Sequence, residues 1–185
     1  MLEPSAAERA VARRAAEARA TVPDVELSVA APGALSTARL VHGCALALAE
    51  HPRANGAYRD GRFELYSRIN IGVVVASAET YLIPTLFDAE RRSVAELERE
   101  LEELAAAARG GTLAAPAFSG ATFTVWNAGE LGLTGASIPP VPPQAAALAA
   151  GTAELRLSCD HRILYGAPAA AFLKSVAHHL DRHRA

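Results

Sequence analysis

The segment Glu154-Leu155-Arg156-Leu157-Ser158-Cys159-Asp160-His161-Arg162-Ile163-Leu164-Tyr165-Gly166 changes character midway. Up to Cys159 it reads as a strand. Pro168 then opens a helix predicted to run to about His183, because proline is best tolerated in the first turn. Asp160-His161-Arg162 therefore falls where a strand ends and a helix begins, a place where side chains face a cleft rather than a core. A histidine there suits a general base, since imidazole titrates near working pH. The alternative is that Asp160 and Arg162 pair on the surface and His161 is merely partly buried.

Working outward, Ser5-Ala-Ala-Glu8 is a capping box that predicts a helix over about Ala6 to Arg19, stopped near Val22-Pro23. Val25, Leu27 and Val29 alternate as one strand face. Ser36 caps a second helix carrying Leu40, Val41, Cys44 and Leu48, which ends at Pro52. Asp60-Gly61 is a hairpin turn between Ala57-Tyr58 and the run starting at Phe63. Ile69 to Ala76 and Tyr81 to Phe87 read as two strands, the first buried on both faces.

Ser93-Val-Ala-Glu96 is a second capping box, opening a helix with Val94, Leu97, Leu101, Leu104 and Ala108 on one stripe. Gly110-Gly111 ends it. The opposite face, Glu96, Glu98, Glu100, Glu102 and Glu103, reads as a solvated surface. Thr122 to Trp126, Ala145 to Ala150 and Glu154 to Cys159 are the remaining strands. Interspersed helices and strands predict an α/β or α+β class with a mixed sheet.

The composition fits a globular chain. Its 185 residues are 51% hydrophobic and 21% charged, with 18 basic against 20 acidic side chains, a net charge of −2. That balance argues against a nucleic-acid partner, whose usual signature is a basic face. No apolar run reaches the ~20 residues that cross a bilayer. Two cysteines, Cys44 and Cys159, read as reduced residues, and the N-terminus lacks signal-peptide features, so a soluble cytoplasmic protein is expected. His178, His179 and His183 on the last helix read as a solvated helix end, and no metal site is expected.

The blocks along the chain carry a resemblance. Asp160-His161-Arg162 followed by Gly166 resembles the DHRxxDG signature of the dihydrolipoamide acyltransferase (E2) family of 2-oxoacid dehydrogenase complexes, whose catalytic domains share the chloramphenicol acetyltransferase fold. Arg9-Ala-Val-Ala-Arg-Arg14 resembles the family's first-helix pattern. Ile69 to Ala76 with Tyr81 to Pro84 resembles the segment lining its substrate channel. Phe123-Thr-Val-Trp-Asn-Ala-Gly129 resembles its FTISNLG strand, and Pro142-Pro-Gln-Ala-Ala-Ala-Leu148 its NPPQAAIL run.

The resemblance implies a chloramphenicol acetyltransferase-like α/β sandwich, with a mixed sheet, helices packed on it and active sites at the interfaces of a homotrimer. It implies transfer of an acyl group, acetyl being the expected one, from a coenzyme A or carrier-protein thioester to a hydroxyl, amine or thiol of a small-molecule acceptor. His161 would be the general base. The alternatives are a catalytically degenerate trimeric binding protein and the same scaffold used for other small-molecule chemistry. Trimers assembling into larger cores is a further possibility the family brings. No residues are assigned to the coenzyme's nucleotide.

The chain departs from the pattern at its chemical centre. The family's oxyanion-stabilising serine falls on Trp126, whose indole is either a single N–H donor or a plug. Thr124, on the same strand face, is the nearest remaining hydroxyl. The acid of DHRxxDG falls on Tyr165, which can hydrogen-bond but not carry a carboxylate's charge. The stretch from Ala150 to Ser158 is shorter than the family's. No segment resembles a lipoyl or peripheral subunit-binding domain, so residues 1–185 are expected to form one catalytic-type domain, a fragment or a free-standing relative.

Overall fold

The computed structural model describes residues 2–77 and 80–182. Three serines start three helices: Ser5, Ser36 and Ser93 each accept a hydrogen bond from the backbone N–H of the third residue of helices α1 (Ala6–Thr21), α2 (Thr37–Glu50) and α3 (Val94–Arg109). Glu8 and Glu96 complete capping boxes by accepting from the cap backbone. The last helix, α4 (Gly166–Arg182), begins two residues before Pro168. Gly166 enters it at φ +53°, a conformation glycine adopts without the penalty of a Cβ.

Among the described residues, ten strands connect these helices. They are β1 (Asp24–Ala30), β2 (Gly56–Arg59), β3 (Arg62–Leu65), β4 (Ile71–Val73), β5 (Val75–Ala76), β6 (Tyr81–Leu82), β7 (Thr85–Leu86), β8 (Phe123–Asn127), β9 (Ala146–Ala150) and β10 (Glu154–Asp160). Six form a mixed sheet in the order β1-β10-β9-β8-β4-β7, in which β4, β8 and β9 run parallel and the other pairings are antiparallel. β2 and β3 make the hairpin expected at Asp60-Gly61, and β5 pairs with β6.

The register sorts side chains by face. Val25, Leu27 and Val29 lie opposite Cys159, Leu157 and Leu155, which continue through Leu148 to Val125 and Val73. This apolar face is covered by α2, through Leu40, Cys44 and Leu48, and by α4, through Phe172, Val176 and Leu180. Phe172 sits edge-on to Phe123 with ring centroids 5.7 Å apart. Among the described residues no helix is long and apolar enough to cross a membrane.

Two expected strands are each split. Ile69 to Ala76 becomes β4 and β5, because Val74 leaves the ladder and donates its N–H to Val125 O at 3.0 Å. Tyr81 to Phe87 becomes β6 and β7, broken at Ile83-Pro84, where proline has no N–H to contribute. Burial on both faces holds from Ile69 to Val73; Ala76 is exposed. The outer half of this region thus forms a projecting hairpin rather than a sheet strand.

Candidate functional site

The Asp160-His161-Arg162 turn is built by β10 and held from three sides. His161 donates its backbone N–H to Pro23 O at 3.0 Å, which ties the turn to the start of β1. The Asp160 carboxylate accepts from the Arg162 backbone N–H at 3.0 Å and from its guanidinium Nε and Nη2 at 2.9 and 2.7 Å. Arg162 also lies over the Tyr58 ring, 4.8 Å from its centroid. These hydrogen bonds push the Arg162 guanidinium pKa further up.

The alternative of a surface Asp160–Arg162 pair beside a partly buried His161 holds only for the pairing itself. Asp160 is buried, 2% exposed, while His161 is exposed. Asp160 takes its place inside because the strand delivers it beneath the Arg162 side chain. The His161 ring is left facing outward against Tyr165, edge-on at 5.9 Å, and Tyr165 is 42% exposed. Under the same turn, burial pushes the Cys159 thiol up to about 12, with Asp160 and Asp24 adding to the effect. That thiol is no nucleophile at neutral pH.

Thr124 and Trp126 lie elsewhere. Trp126 stands level with Ala149 on β9, which pairs with Arg156 on β10. His161 is five residues further on, so strand geometry separates it from Trp126 by about 20 Å, at ~3.3 Å per residue and two ~4.8 Å strand spacings. One protomer brings His161 to Tyr165 and Thr124 to the face of Trp126, but does not bring the two pairs together.

Thr124 does not fill the role of a free hydroxyl. It is fully buried and donates to Gln144 Oε1 at 2.7 Å, while Gln144 donates to Ala121 O at 3.1 Å. Gln144 follows the proline pair and arrives from twenty residues along the chain, a partnership that strand periodicity does not encode.

Trp126 instead lines a cavity of about 740 Å³ at the C-terminal ends of the parallel strands β4 and β8, the place where open α/β sheets bind ligands. Its walls are Trp126, Val75 and Tyr81 from the β5–β6 hairpin, Leu101 from α3, and Ile138. Asn127 secures the inner end. Its Nδ2 donates to Leu35 O at 2.9 Å and to Thr37 Oγ1 and Glu130 Oε1, each at 3.1 Å. Gly151 lets the loop after β8 close over the sheet, since a Cβ there would collide with the Thr134 backbone.

The acidic face of α3 is not uniformly solvated. Glu100 pairs with Arg92, while Glu98 and Glu102 stand on the cavity wall. Of the histidines on α4, His179 Nε2 is 2.9 Å from Glu50 Oε1, and His183 lies outside the described residues. Among the described residues no group of three His, Cys, Asp or Glu side chains is placed to hold a metal ion.

Comparison with known proteins bears on the whole arrangement. A curated relative, acetyltransferase component 3 of the mitochondrial pyruvate dehydrogenase complex of Arabidopsis thaliana, is 32% identical over 162 residues, covering 77% of this chain and 30% of the relative. The acetyltransferase component of the acetoin cleaving system of Bacillus subtilis is 31% identical over 153 residues, covering 74% and 38%. The chain thus spans about a third of the length of the curated relatives it matches.

Among solved structures, the dihydrolipoamide acetyltransferase of Azotobacter vinelandii, studied for a serine, a histidine and an asparagine in its catalytic mechanism, superposes with a TM-score of 0.93 at 24% identity. It covers 100% of this chain and 92% of that one. The cubic core of a pyruvate dehydrogenase multienzyme complex gives the same figures. A chloramphenicol acetyltransferase gives 0.59 at 14% identity, covering 86% and 89%. The fold is therefore that of these catalytic cores.

Residues 31–185 match the profile of the 2-oxoacid dehydrogenases acyltransferase (catalytic domain) family, a span that takes in the Asp160-His161-Arg162 turn and the cavity walled by Trp126, and it is to this family that the chain belongs.

Proposed function

We propose that the chain transfers an acyl group, acetyl in the simplest case, from a coenzyme A or carrier-protein thioester to a hydroxyl, amine or thiol of a small acceptor. His161 is the general base. The observation that carries this reading is an exposed imidazole on a rigid turn, in a chain of this family, about 20 Å by strand geometry from the cavity on its own sheet. Proton abstraction needs the base within hydrogen-bond reach of the nucleophile. A second copy must therefore bring its His161 to the Trp126 cavity, which supports a homotrimer with the site between subunits. Other solved members form a cubic core, and assembly of trimers here would follow that pattern.

In this arrangement neutral His161 takes the acceptor's proton as the nucleophile attacks the thioester carbonyl. The tetrahedral intermediate then expels the coenzyme A thiolate, which recovers the proton from the imidazolium. Nothing covalent forms on the protein, so the rate depends on positioning and on a donor to the oxyanion. With Thr124 donating to Gln144, the Trp126 indole N–H is the remaining donor of the sequence-predicted pair. Tyr165, edge-on to the imidazole, orients the ring or the acceptor.

A different observation favours a second reading. An indole in place of a hydroxyl, and a threonine already engaged, suit a binding protein that kept the scaffold without turnover. Thiol release from acetyl-CoA, measured with alcohol, amine and thiol acceptors for wild type and His161→Ala, separates them. His161-dependent release at a solution mass three times the 19.3 kDa chain supports the acyltransferase. Absence of release and of coenzyme A binding by calorimetry supports the binding protein. Release appearing only in Trp126→Ser identifies the indole as a plug.

A further inference from the structure

The cavity at the ends of β4 and β8 has a charge pattern that selects among ligands. Its interior is apolar and aromatic, with Trp126 and Tyr81 as its rings. Among the described residues, its acidic side chains are Glu98, Glu102 and Glu130, and its basic one is Arg109. Glu130 already accepts from the Thr37 hydroxyl and the Asn127 amide at the N-terminus of α2, where the helix dipole favours a carboxylate.

Glu98 and Glu102 are exposed and lie one helical turn apart on the same face of α3. Arg109 is seven residues beyond Glu102, about 10 Å further along the helix axis. This wall therefore carries two negative charges from Glu98 and Glu102 against the one positive charge of Arg109, whose Cα lies two turns further on. Two carboxylates beside a hollow of low polarity attract a cation more strongly than they would in open water, and the faces of an indole and a phenol add to that attraction. The same field repels the phosphates of coenzyme A, which must approach from another side.

We infer that this cavity binds a small organic cation: an ammonium held at Glu98 and Glu102, with its apolar body against Trp126 and Tyr81. The volume, about 740 Å³, suits such a molecule. The binding rests on the cavity alone; that the ammonium is the acyl acceptor rests on the acyltransfer reading above. In that role the ammonium first loses one proton to water. Its nitrogen then bonds to the thioester carbonyl carbon while His161 of a neighbouring copy takes the second N–H proton. The C–S bond breaks, and the thiolate takes that proton from the imidazolium, giving an amide and free coenzyme A.

Trp126 is the single tryptophan of the chain, so its emission reports on this cavity directly. The test titrates the purified protein with cyclohexylmethylammonium, cyclohexylmethanol and cyclohexanecarboxylate, which are transparent where indole absorbs. The ammonium is expected to bind about tenfold tighter than the carboxylate at low salt, with the alcohol between them and the gap narrowing in high salt. The double variant Glu98→Gln/Glu102→Gln, altered at two exposed positions, is expected to remove most of that preference. Equal or tighter binding of the carboxylate, a preference that survives the double variant, or no change in emission with any of the three overturns the assignment. Thiol release from acetyl-CoA is followed with the same amine. Ammonium binding without release keeps the cavity assignment and rejects the acceptor role. Release with alcohol or thiol acceptors and no ammonium binding rejects the cation site and leaves acyl transfer standing.

Discussion

The two ends of the central sheet differ in kind. At the β10 end a turn is fixed by a buried carboxylate, a charged guanidinium and a backbone bond to Pro23, and it holds His161 exposed against Tyr165. At the β8 end a cavity of about 740 Å³ is lined by an indole and a phenol, with no histidine among its described lining residues. One end presents the candidate base, the other the cavity. Under the proposed function, which needs both within about 3 Å, the site is completed by another copy of the chain.

The largest expected effect comes from removing the base. His161→Ala should lower His161-dependent thiol release by about 10²- to 10⁴-fold, the usual contribution of a positioned base. The ring is exposed, so the melting temperature should stay within a degree or two. A variant that melts early, or one that keeps full release, breaks the contrast between the two ends.

Next comes Asp160→Asn. It leaves Arg162 with a neutral partner and should cost about 2 kcal/mol in urea unfolding, below the roughly 3–5 typical of fully buried pairs because the guanidinium is part-exposed. Trp126 emission should not move in the folded variant, since the disturbance is confined to the other end. Asn127→Ala is the reciprocal experiment. Losing the bonds to Leu35 O and Glu130 should cost about 1–2 kcal/mol, and here the emission should shift.

The smallest effect concerns the clasp behind both ends, where Glu50 of α2 accepts from Ser175 of α4 and meets His179. The Ser175 hydroxyl, and then His179, hold the Glu50 carboxyl below its usual range. A depressed carboxyl adds stability above its unfolded pKa and loses it as pH falls through the folded value. Wild type should therefore lose slightly more stability than Glu50→Gln as pH falls below about 4.5, by no more than about 0.5 kcal/mol for so exposed a group. An equal or steeper acid loss in the variant would contradict this.

What was legible in the sequence follows the range of the interaction. Ser5, Ser36 and Ser93 announce their helices because a cap bonds within three residues. The Asp60-Gly61 turn and the alternation of Val25, Leu27 and Val29 are equally local. The breaks at Val74 and Pro84 are harder, because an apolar run does not say which strand each half pairs with. The burial of Asp160 beside an exposed His161 is not local either, because the turn is tied to Pro23, more than a hundred residues away. Thr124 loses its availability to Gln144, and Glu98 and Glu102 gain a cavity wall from the β5–β6 hairpin; both depend on tertiary placement. The sequence blocks pointed to the family, while the distance between base and cavity required the register of β8, β9 and β10.

The most direct test mixes two variants that are each defective for a different reason. His161→Ala lacks the base, and Ala105→Trp fills the cavity from α3. In a cyclic trimer each site takes His161 from one subunit and the cavity from the next. Refolding the two variants together at equal amounts should therefore restore about a quarter of the wild-type sites, read as thiol release from acetyl-CoA. No recovery on mixing, with wild type active and both variants trimeric, would mean that base and cavity do not meet across subunits, and a site shared between neighbouring copies would be refuted.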